Sequence, residues 1–242
     1  MSAPRFRLGL LWCGHVHHDA LDLGGDYPPL FDELFAPLGV EVVPFAVDAG
    51  EFPASLDDCD GWITSPARNS VNDPDPWIAE LRDMVGELVH TERPFAGICF
   101  GHQLLATALG GRVERAAVGW GVGVRTYDVI APRWWMSPSA EPDPHQFRLV
   151  ASHEDQVTVA PSDATVLATS SYCPVAAMEV GERAISIQPH PEFSVALSER
   201  LLDLRADIIG AETVAAARAT LTTPPDRALV AAWIMRFLRD ER

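Results

Sequence analysis

The sequence predicts an α/β protein with a mostly parallel central sheet flanked by helices, plus a small antiparallel β section in its second half. In the first half, short apolar runs typical of strands alternate with helical patterns. Repeated strand–helix–strand units imply parallel strands joined by right-handed crossovers. In the second half, strand-like runs are separated mainly by turns, as in antiparallel sheets.

The first half contains four predicted strands and two predicted helices before a third helix. Prolines near the start and Gly39 at the end delimit the first helix. The second helix is indicated by apolar residues at helical spacing, from Trp77 to Leu88. The strands are predicted at residues 6–12, 40–45, 61–63 and 94–98, and the two helices at 27–39 and 77–90.

The second half contains five further predicted strands. A proline-rich loop at residues 131–145 interrupts them and carries Trp134 and Trp135. Both tryptophans look exposed in the sequence, which leaves open whether they shield the pocket or pack on the surface. Helices resume after Phe193, and the last one runs from Pro224 to about Arg239. The strands are predicted at residues 122–130, 147–152, 165–169, 175–180 and 184–188. No internal repeat or long linker divides the chain, so we expect residues 1–242 to form a single domain.

Composition excludes several classes of function. A formal net charge of −16 argues against a nucleic-acid or anionic-membrane partner, because both require clustered basic residues. The N-terminal apolar run is too short for a signal peptide, and no run reaches the length of a membrane span. The four cysteines are widely spaced and form no CxxC pair. Reduced thiols in a cytoplasmic protein are therefore expected.

The segment Pro94-Phe-Ala-Gly97-Ile-Cys99-Phe-Gly101-His-Gln103 carries the clearest functional signal. It predicts a buried strand, a sharp turn that bears a cysteine between two glycines, and a helix, which is the cysteine form of a nucleophile elbow. Small flanking residues allow the tight turn that exposes the thiol. The positive end of the helix dipole favours a thiolate at this position. Cys99 is therefore the candidate nucleophile.

The segment Ile185-Ser-Ile-Gln-Pro-His190-Pro-Glu192-Phe offers the base that such a nucleophile needs. His190 follows a predicted strand, and Glu192 lies two residues later, where its carboxylate could orient the imidazole. If this strand and the strand before Cys99 share a parallel sheet, both ends lie at its carboxyl edge. The sequence thus predicts that Cys99 and His190 meet there.

Together these motifs resemble the class I glutamine amidotransferases, in a GMP-synthase-like or γ-glutamyl peptidase-like branch. The resemblance covers nearly the whole chain and implies a flavodoxin-like fold with a Cys-His-Glu triad of Cys99, His190 and Glu192. It also implies that Gln103 holds the amino-acid end of the substrate. Two further segments are similar to stretches that line the same pocket: Ser152-His153-Glu-Asp155-Gln-Val157, and Gly119-Trp120-Gly121.

The same resemblance implies an oxyanion hole made by two backbone N–H groups. One is that of Phe100, directly after the nucleophile, and the other comes from a Gly-Gly-Pro loop in the family. Here that loop reads Ile63-Thr64-Ser65-Pro66, so Ser65 stands where the family has glycine. A serine before the proline is similar to the γ-glutamyl peptidase-like branch.

The implied reaction is cleavage of the γ-glutamyl amide of glutamine through a cysteinyl thioester, which releases glutamate and ammonia. In one version of this function the ammonia passes to a separate synthetase subunit. That version needs a partner, because this chain has no glycine-rich nucleotide loop of its own. Two alternatives stay open: a free-standing γ-glutamyl peptidase, and a catalytically inactive binding or regulatory module. The expected partner is a small γ-glutamyl substrate, with no nucleic acid or membrane, and the sequence leaves the oligomeric state open.

We expect no cofactor and no metal. The run His15-Val-His17-His18-Asp19 has metal-like residue types, but its spacing is short and no second ligand cluster accompanies it. Solvated loop histidines or a pocket rim are the simpler interpretation.

Overall fold

A computed structural model of the chain describes residues 5–137 and 144–241. A nine-stranded sheet runs through it in the order β2-β1-β3-β4-β11-β10-β9-β6-β7, and a separate two-stranded sheet pairs β5 with β8. The strands are β1 (Phe6–Trp12), β2 (Val40–Ala46), β3 (Gly61–Thr64), β4 (Phe95–Ile98), β5 (Arg112–Arg115), β6 (Gly121–Val129), β7 (Gln146–His153), β8 (Asp155–Val159), β9 (Ala164–Thr169), β10 (Ala177–Val180) and β11 (Ala184–Ile187).

Seven α-helices and three short 3-10 turns connect these strands within the described residues. The α-helices are α1 (Tyr27–Phe35), α2 (Pro76–His90), α3 (Phe100–Ala108), α4 (Val195–Leu204), α5 (Ala206–Ile209), α6 (Ala211–Thr220) and α7 (Arg227–Arg239). The 3-10 turns lie at His18–Leu23, Ala36–Leu38 and Val47–Ala49.

Five adjacent strands form the parallel half of the sheet. β1 pairs in parallel with both β2 and β3, and β4 pairs in parallel with both β3 and β11. Strands β3, β4 and β11 are buried along their whole length, as expected for parallel strands covered by helices on both faces. Their carboxyl ends therefore lie along one edge of the sheet.

The antiparallel section predicted for the second half is confirmed, and most of it extends the main sheet. β10 pairs antiparallel with β11 and β9, and β6 pairs antiparallel with β9 and β7. The antiparallel pair of β5 and β8 is not predicted from the sequence. These two strands are short, and β5 has a single buried residue, Val113, among charged ones. Their apolar pattern is too weak to predict a strand.

Two apolar cores cover the two faces of the sheet. Helices α1, α4, α6 and α7 contribute to one, and helices α2 and α3 contribute to the other. Each helix among the described residues is too short or too polar to cross a bilayer.

The expectation that Trp134 and Trp135 are both exposed is wrong for Trp135. Its ring is buried against Phe237 of α7, and its indole N–H lies 3.4 Å from Glu179 Oε1. Trp134 is exposed, as expected. Residues 138–143 of the predicted loop lie outside the described residues.

Candidate active site

Cys99 occupies the sharp turn between β4 and α3. Its backbone has φ 49° and ψ −95°, a conformation that L-residues rarely adopt and that is typical of functional turns. Both flanking glycines are required by close packing. A Cβ on Gly97 would lie 2.6 Å from the carbonyl oxygen of Gly101, and one on Gly101 would lie 2.7 Å from Cβ of Thr64. The Gly-x-Cys-x-Gly pattern is therefore a packing requirement of the turn.

Hydrogen bonds from neighbouring strands fix this turn. The backbone N–H of Cys99 donates to the carbonyl of Ile187 (2.9 Å), and that of Ile98 donates to Thr64 Oγ1 (3.2 Å). Cys99 is only 6% exposed, yet it lines a cavity of about 580 Å³. Cys99 thus lines the cavity from a largely buried position.

His190 and Glu192 lie just past the end of β11, at the same edge of the sheet. β11 is in parallel register with β4, with Ile187 beside Ile98. The Nδ1 of His190 is 2.7 Å from Glu192 Oε1, and both side chains are almost completely buried. The imidazole also stacks on Phe193, with ring centroids 4.1 Å apart. The carboxylate and the aromatic ring together fix the orientation of the imidazole.

The charge state of His190 depends on Cys99. Burial by itself lowers the pKa of this imidazole, but the charges of Cys99 and Glu192, with the hydrogen bond to Glu192, outweigh burial and raise the pKa well above its ordinary value. The Nε2 atom has no hydrogen bond of normal geometry among the described residues. The sulfur and the imidazole are therefore strongly coupled electrostatically, but a hydrogen bond between Nε2 and the Cys99 sulfur is not formed in this conformation.

Gln103 and Gln188 form a chain of amide hydrogen bonds that ends at the Cys99 sulfur. Gln103 Nε2 donates to the carbonyl of Asp155 (2.8 Å) and to Gln188 Oε1 (3.1 Å). Because Gln188 Oε1 is thereby an acceptor, its Nε2 is the group directed at the Cys99 sulfur, 3.5 Å away. Gln188 is not among the residues predicted from the sequence, although it stands two residues before His190. The signal in the sequence is a glutamine at the end of a predicted strand, directly before the Pro-His motif.

His153 is neutral and lines the same cavity. Its Nδ1 donates to the carbonyl of Asp155 (3.0 Å), and burial lowers its pKa to about 3. Its Nε2 is buried without a hydrogen-bond partner among the described residues, so it presents an acceptor lone pair. Trp120 also lines the cavity. The structure thus brings Gln103, His153 and Trp120 to one pocket with Cys99.

The two predicted oxyanion donors differ in availability. Phe100 lines the cavity and opens α3, where first-turn N–H groups lack intrahelical partners. The N–H of Ser65, in contrast, donates to the carbonyl of Leu11 (3.0 Å). The Ser65 hydroxyl accepts from the Cys13 N–H and donates to the Pro66 carbonyl. Ser65 is therefore not free to act as the second donor in this conformation.

The histidine-rich run forms part of the cavity rim. His17 lines the cavity, and the ligand atoms of His17, His18 and Asp19 lie within 4.8 Å of one another. However, His17 Nδ1 already accepts from the Asp19 N–H, and His18 is 79% exposed. These features are typical of solvated histidines at the rim of the cavity, which is the interpretation favoured by the sequence.

Comparisons with known proteins agree with this architecture. The chain is 29% identical over 224 residues to γ-glutamyl peptidase 3 of Arabidopsis thaliana, covering 89% of each chain. It is 31% identical over 185 residues to γ-glutamyl peptidase 5 of the same plant, covering 74% of this chain and 72% of that one. It is 32% identical over 198 residues to a glutamine-hydrolysing GMP synthase of Aeropyrum pernix, covering 79% of this chain but 36% of that protein.

The fold is also found among solved structures. A glutamine amidotransferase from Thermotoga maritima superposes with a TM-score of 0.73 at 19% identity, covering 98% of this chain and 99% of that one. A model of the family "Glutamine amidotransferase class-I" matches residues 21–203. With its cysteine elbow and the adjacent histidine–glutamate pair, the chain belongs to the class I glutamine amidotransferase family.

Proposed function

We propose that this protein is a cysteine-dependent hydrolase of γ-glutamyl amides. The observation that carries the proposal is the meeting of the Cys99 elbow and the His190–Glu192 pair at one edge of the sheet, beside a cavity of about 580 Å³. In this proposal Cys99 is the nucleophile, His190 the general base and acid, and Glu192 the residue that orients the imidazole. Gln103, His153 and Trp120 contact the γ-glutamyl group.

The chemistry proceeds in two steps. The Cys99 thiolate attacks the γ-carbonyl carbon, and the tetrahedral intermediate collapses to a γ-glutamyl thioester while the amine leaves with a proton from the His190 imidazolium. Water then attacks the thioester, with His190 accepting its proton, and glutamate and the free thiol are released. The raised pKa of His190 suits the first step, because a proton is available for the leaving amine.

The oxyanion of the intermediate requires hydrogen-bond donors. The N–H of Phe100 is placed to supply one at the start of α3. Because the N–H of Ser65 is engaged with Leu11, a second donor requires a shift of the 65–67 loop or a different group. One oxyanion-hole donor is typically worth about a hundredfold to a thousandfold in rate, so the availability of a second donor affects turnover strongly.

Two versions of the activity compete: a glutaminase that supplies ammonia to a separate synthetase, and a free-standing γ-glutamyl peptidase. The first is supported by the similarity to glutamine-hydrolysing GMP synthases, one of which is named as a single subunit of that enzyme. The second is supported by γ-glutamyl peptidase relatives, one of which matches over 89% of both chains. That end-to-end match favours the peptidase.

A cytoplasmic location is also proposed, since all four cysteines are unpaired.

The test is release of glutamate by the purified chain from glutamine and from γ-glutamyl dipeptides. We expect turnover of dipeptides without a partner protein, and we expect Cys99→Ala to abolish it and the acyl adduct seen by mass spectrometry. Cys59→Ala, which changes a cysteine outside the cavity, is the matched control and should retain activity. Activity that emerges only after a synthetase is added would favour the glutaminase. If the wild-type chain forms no adduct with any γ-glutamyl compound, the result would contradict both enzymatic versions and favour the catalytically inactive binding module.

A further inference from the structure

The cavity beside Cys99 contains two arginines that have no carboxylate partner within the described residues. These are Arg205, which lies between α4 and α5, and Arg68, which lies in the loop after β3. The chain has 18 arginines and no lysine, against 34 acidic residues. Most described arginines outside the cavity form ion pairs, for example Arg93 with Asp57 and Arg148 with Asp226. In so acidic a chain, unpaired arginines in a pocket need an explanation.

Arg205 is the more unusual of the two because it is partly buried, whereas Arg68 is exposed. Its Nη1 donates to Ser152 Oγ at 2.9 Å, and this hydroxyl is its only side-chain partner among the described residues. Buried charges are normally paired, since an uncompensated charge is costly to remove from water. Burial lowers the pKa of Arg205, and the charge of Arg68 lowers it further. The charges of Tyr27 and Cys99 partly oppose this shift. No carboxylate among the described residues therefore neutralises the charge of Arg205.

The acidic residues of the same cavity do not supply that anion. Glu154 pairs with Arg115 at 3.3 Å. Asp155 accepts from the Ser70 hydroxyl, and Asp73 accepts from the Ser70 N–H. An external anion is thus the remaining partner for Arg205 and Arg68.

The position of the two arginines indicates which part of a substrate they would meet. Gln103, His153 and Trp120 come from α3 and the β6–β7 side of the cavity, whereas Arg68, Arg205 and His17 come from the loops after β3, α4 and β1. A cavity of about 580 Å³ lies within the range of roughly 300–1,000 Å³ that holds drug-sized ligands, so it has room beyond the γ-glutamyl group. With the γ-glutamyl group on the side of Gln103, the arginines would meet the leaving amine.

We propose that Arg205, assisted by Arg68, binds a carboxylate on the leaving amine, so that the preferred substrates are γ-glutamyl amino acids or peptides with a free C-terminal carboxylate. This inference rests on the proposed function and narrows it. A planar guanidinium binds carboxylate through paired hydrogen bonds, which a neutral amide cannot reproduce. Glutamine, whose leaving group is ammonia, would leave this subsite empty.

The test compares γ-glutamyl-alanine with γ-glutamyl-alanine amide, which differ only in the charge of the leaving group. For the wild type we expect kcat/KM to be about tenfold to a hundredfold higher for the acid, as for one charge-assisted contact. Arg205→Gln should abolish most of this preference through a higher KM for the acid, with little change for the amide. Arg205→Lys, which keeps the charge but not the planar fork, should retain part of the preference.

Two controls keep the experiment decisive. Arg200→Gln alters an arginine of α4 that pairs with Asp22 and is not in the cavity, and it should leave the preference intact. If Arg205→Gln does not fold, Arg68→Gln at the exposed position should still reduce the preference, and added salt should reduce it in the wild type.

The inference is overturned if the wild type hydrolyses acid and amide equally well, or if Arg205→Gln slows both substrates to the same extent. The latter result would assign Arg205 to the γ-glutamyl group or to the structure of α4. A wild type that hydrolyses neither compound nor glutamine would instead contradict the proposed function itself.

Discussion

Among individual residues, those around Cys99 illustrate how packing dictates sequence. The positive φ of Cys99 brings the start of α3 back against β4, so closely that neither flanking residue can carry a side chain. Thr64 closes the gap from β3, and its hydroxyl accepts the N–H of Ile98. One threonine thus limits the available space and also contributes to the hydrogen bonding of the elbow.

Gly101→Ala should therefore damage the elbow. Its Cβ would lie 2.7 Å from Thr64 Cβ, which rotation of the threonine side chain cannot relieve. We expect a loss of about 1–3 kcal/mol in the free energy of unfolding, measured by urea denaturation, and a large fall in Cys99 acylation. Gly86→Ala in α2, where nothing lies within 4 Å, should be neutral or stabilising. Equal stability of the two variants would contradict this account.

Among the secondary-structure elements, the functional groups depend on where strands and helices end. β4 and β11 end side by side and place Cys99 and His190 at one edge, while α4 ends at the cavity beside Arg205. Ser194 caps α4 at its beginning, since its Oγ accepts the N–H of Leu197 at 3.1 Å. The position of Arg205 therefore depends on a helix whose first turn is fixed by one hydroxyl.

Ser194→Ala should weaken α4. Loss of an N-cap hydroxyl typically lowers the free energy of unfolding by about 0.5–2 kcal/mol, which urea denaturation would detect. Ser162→Ala, at an exposed turn, should change stability by less than about 0.5 kcal/mol and serves as the control. If both variants unfold at the same urea concentration, the cap does not stabilise α4.

Across the molecule as a whole, buried neutral histidines link stability to pH. His102 lies between Ser186 Oγ (2.8 Å) and the carbonyl of Val175 (3.0 Å), and burial lowers its pKa to about 4. Burial likewise lowers the pKa of His153 to about 3. Below pH 6.5 the unfolded chain protonates these two side chains, whereas the folded chain does not do so until much lower pH. Stability must therefore fall as pH falls through this window.

We expect the free energy of unfolding to be lower at about pH 4.5 than at about pH 6.5, with His102 contributing roughly 2 kcal/mol of the difference. His102→Gln should reduce the difference, as measured by urea denaturation at both pH values. His190 has a raised pKa, so its contribution is lost only above pH 6.5 and does not affect this interval. His18→Gln, at an exposed position, should leave the pH dependence unchanged. An unchanged dependence in His102→Gln would refute the linkage.

The amino-acid sequence predicts the α/β class and the family. It also predicts the order of the main strands along the chain. Apolar runs and glycine positions report local conformation directly, and β1 is predicted with its observed bounds. The roles of Cys99, His190 and Glu192, and the single domain over residues 1–242, stay predictions. β5 and β8 escape prediction because each is short and stable only through its partner.

The surroundings of the thiol, by contrast, are defined only once the chain has folded. The Ser65 N–H is engaged by Leu11, Gln188 is directed at the sulfur, and Arg205 lies in the cavity without a carboxylate partner among the described residues. None of these relations joins residues near in sequence, so no local pattern encodes them. They arise because parallel strands bring distant chain segments to one edge, where hydrogen-bond partners and burial are set by neighbours in space.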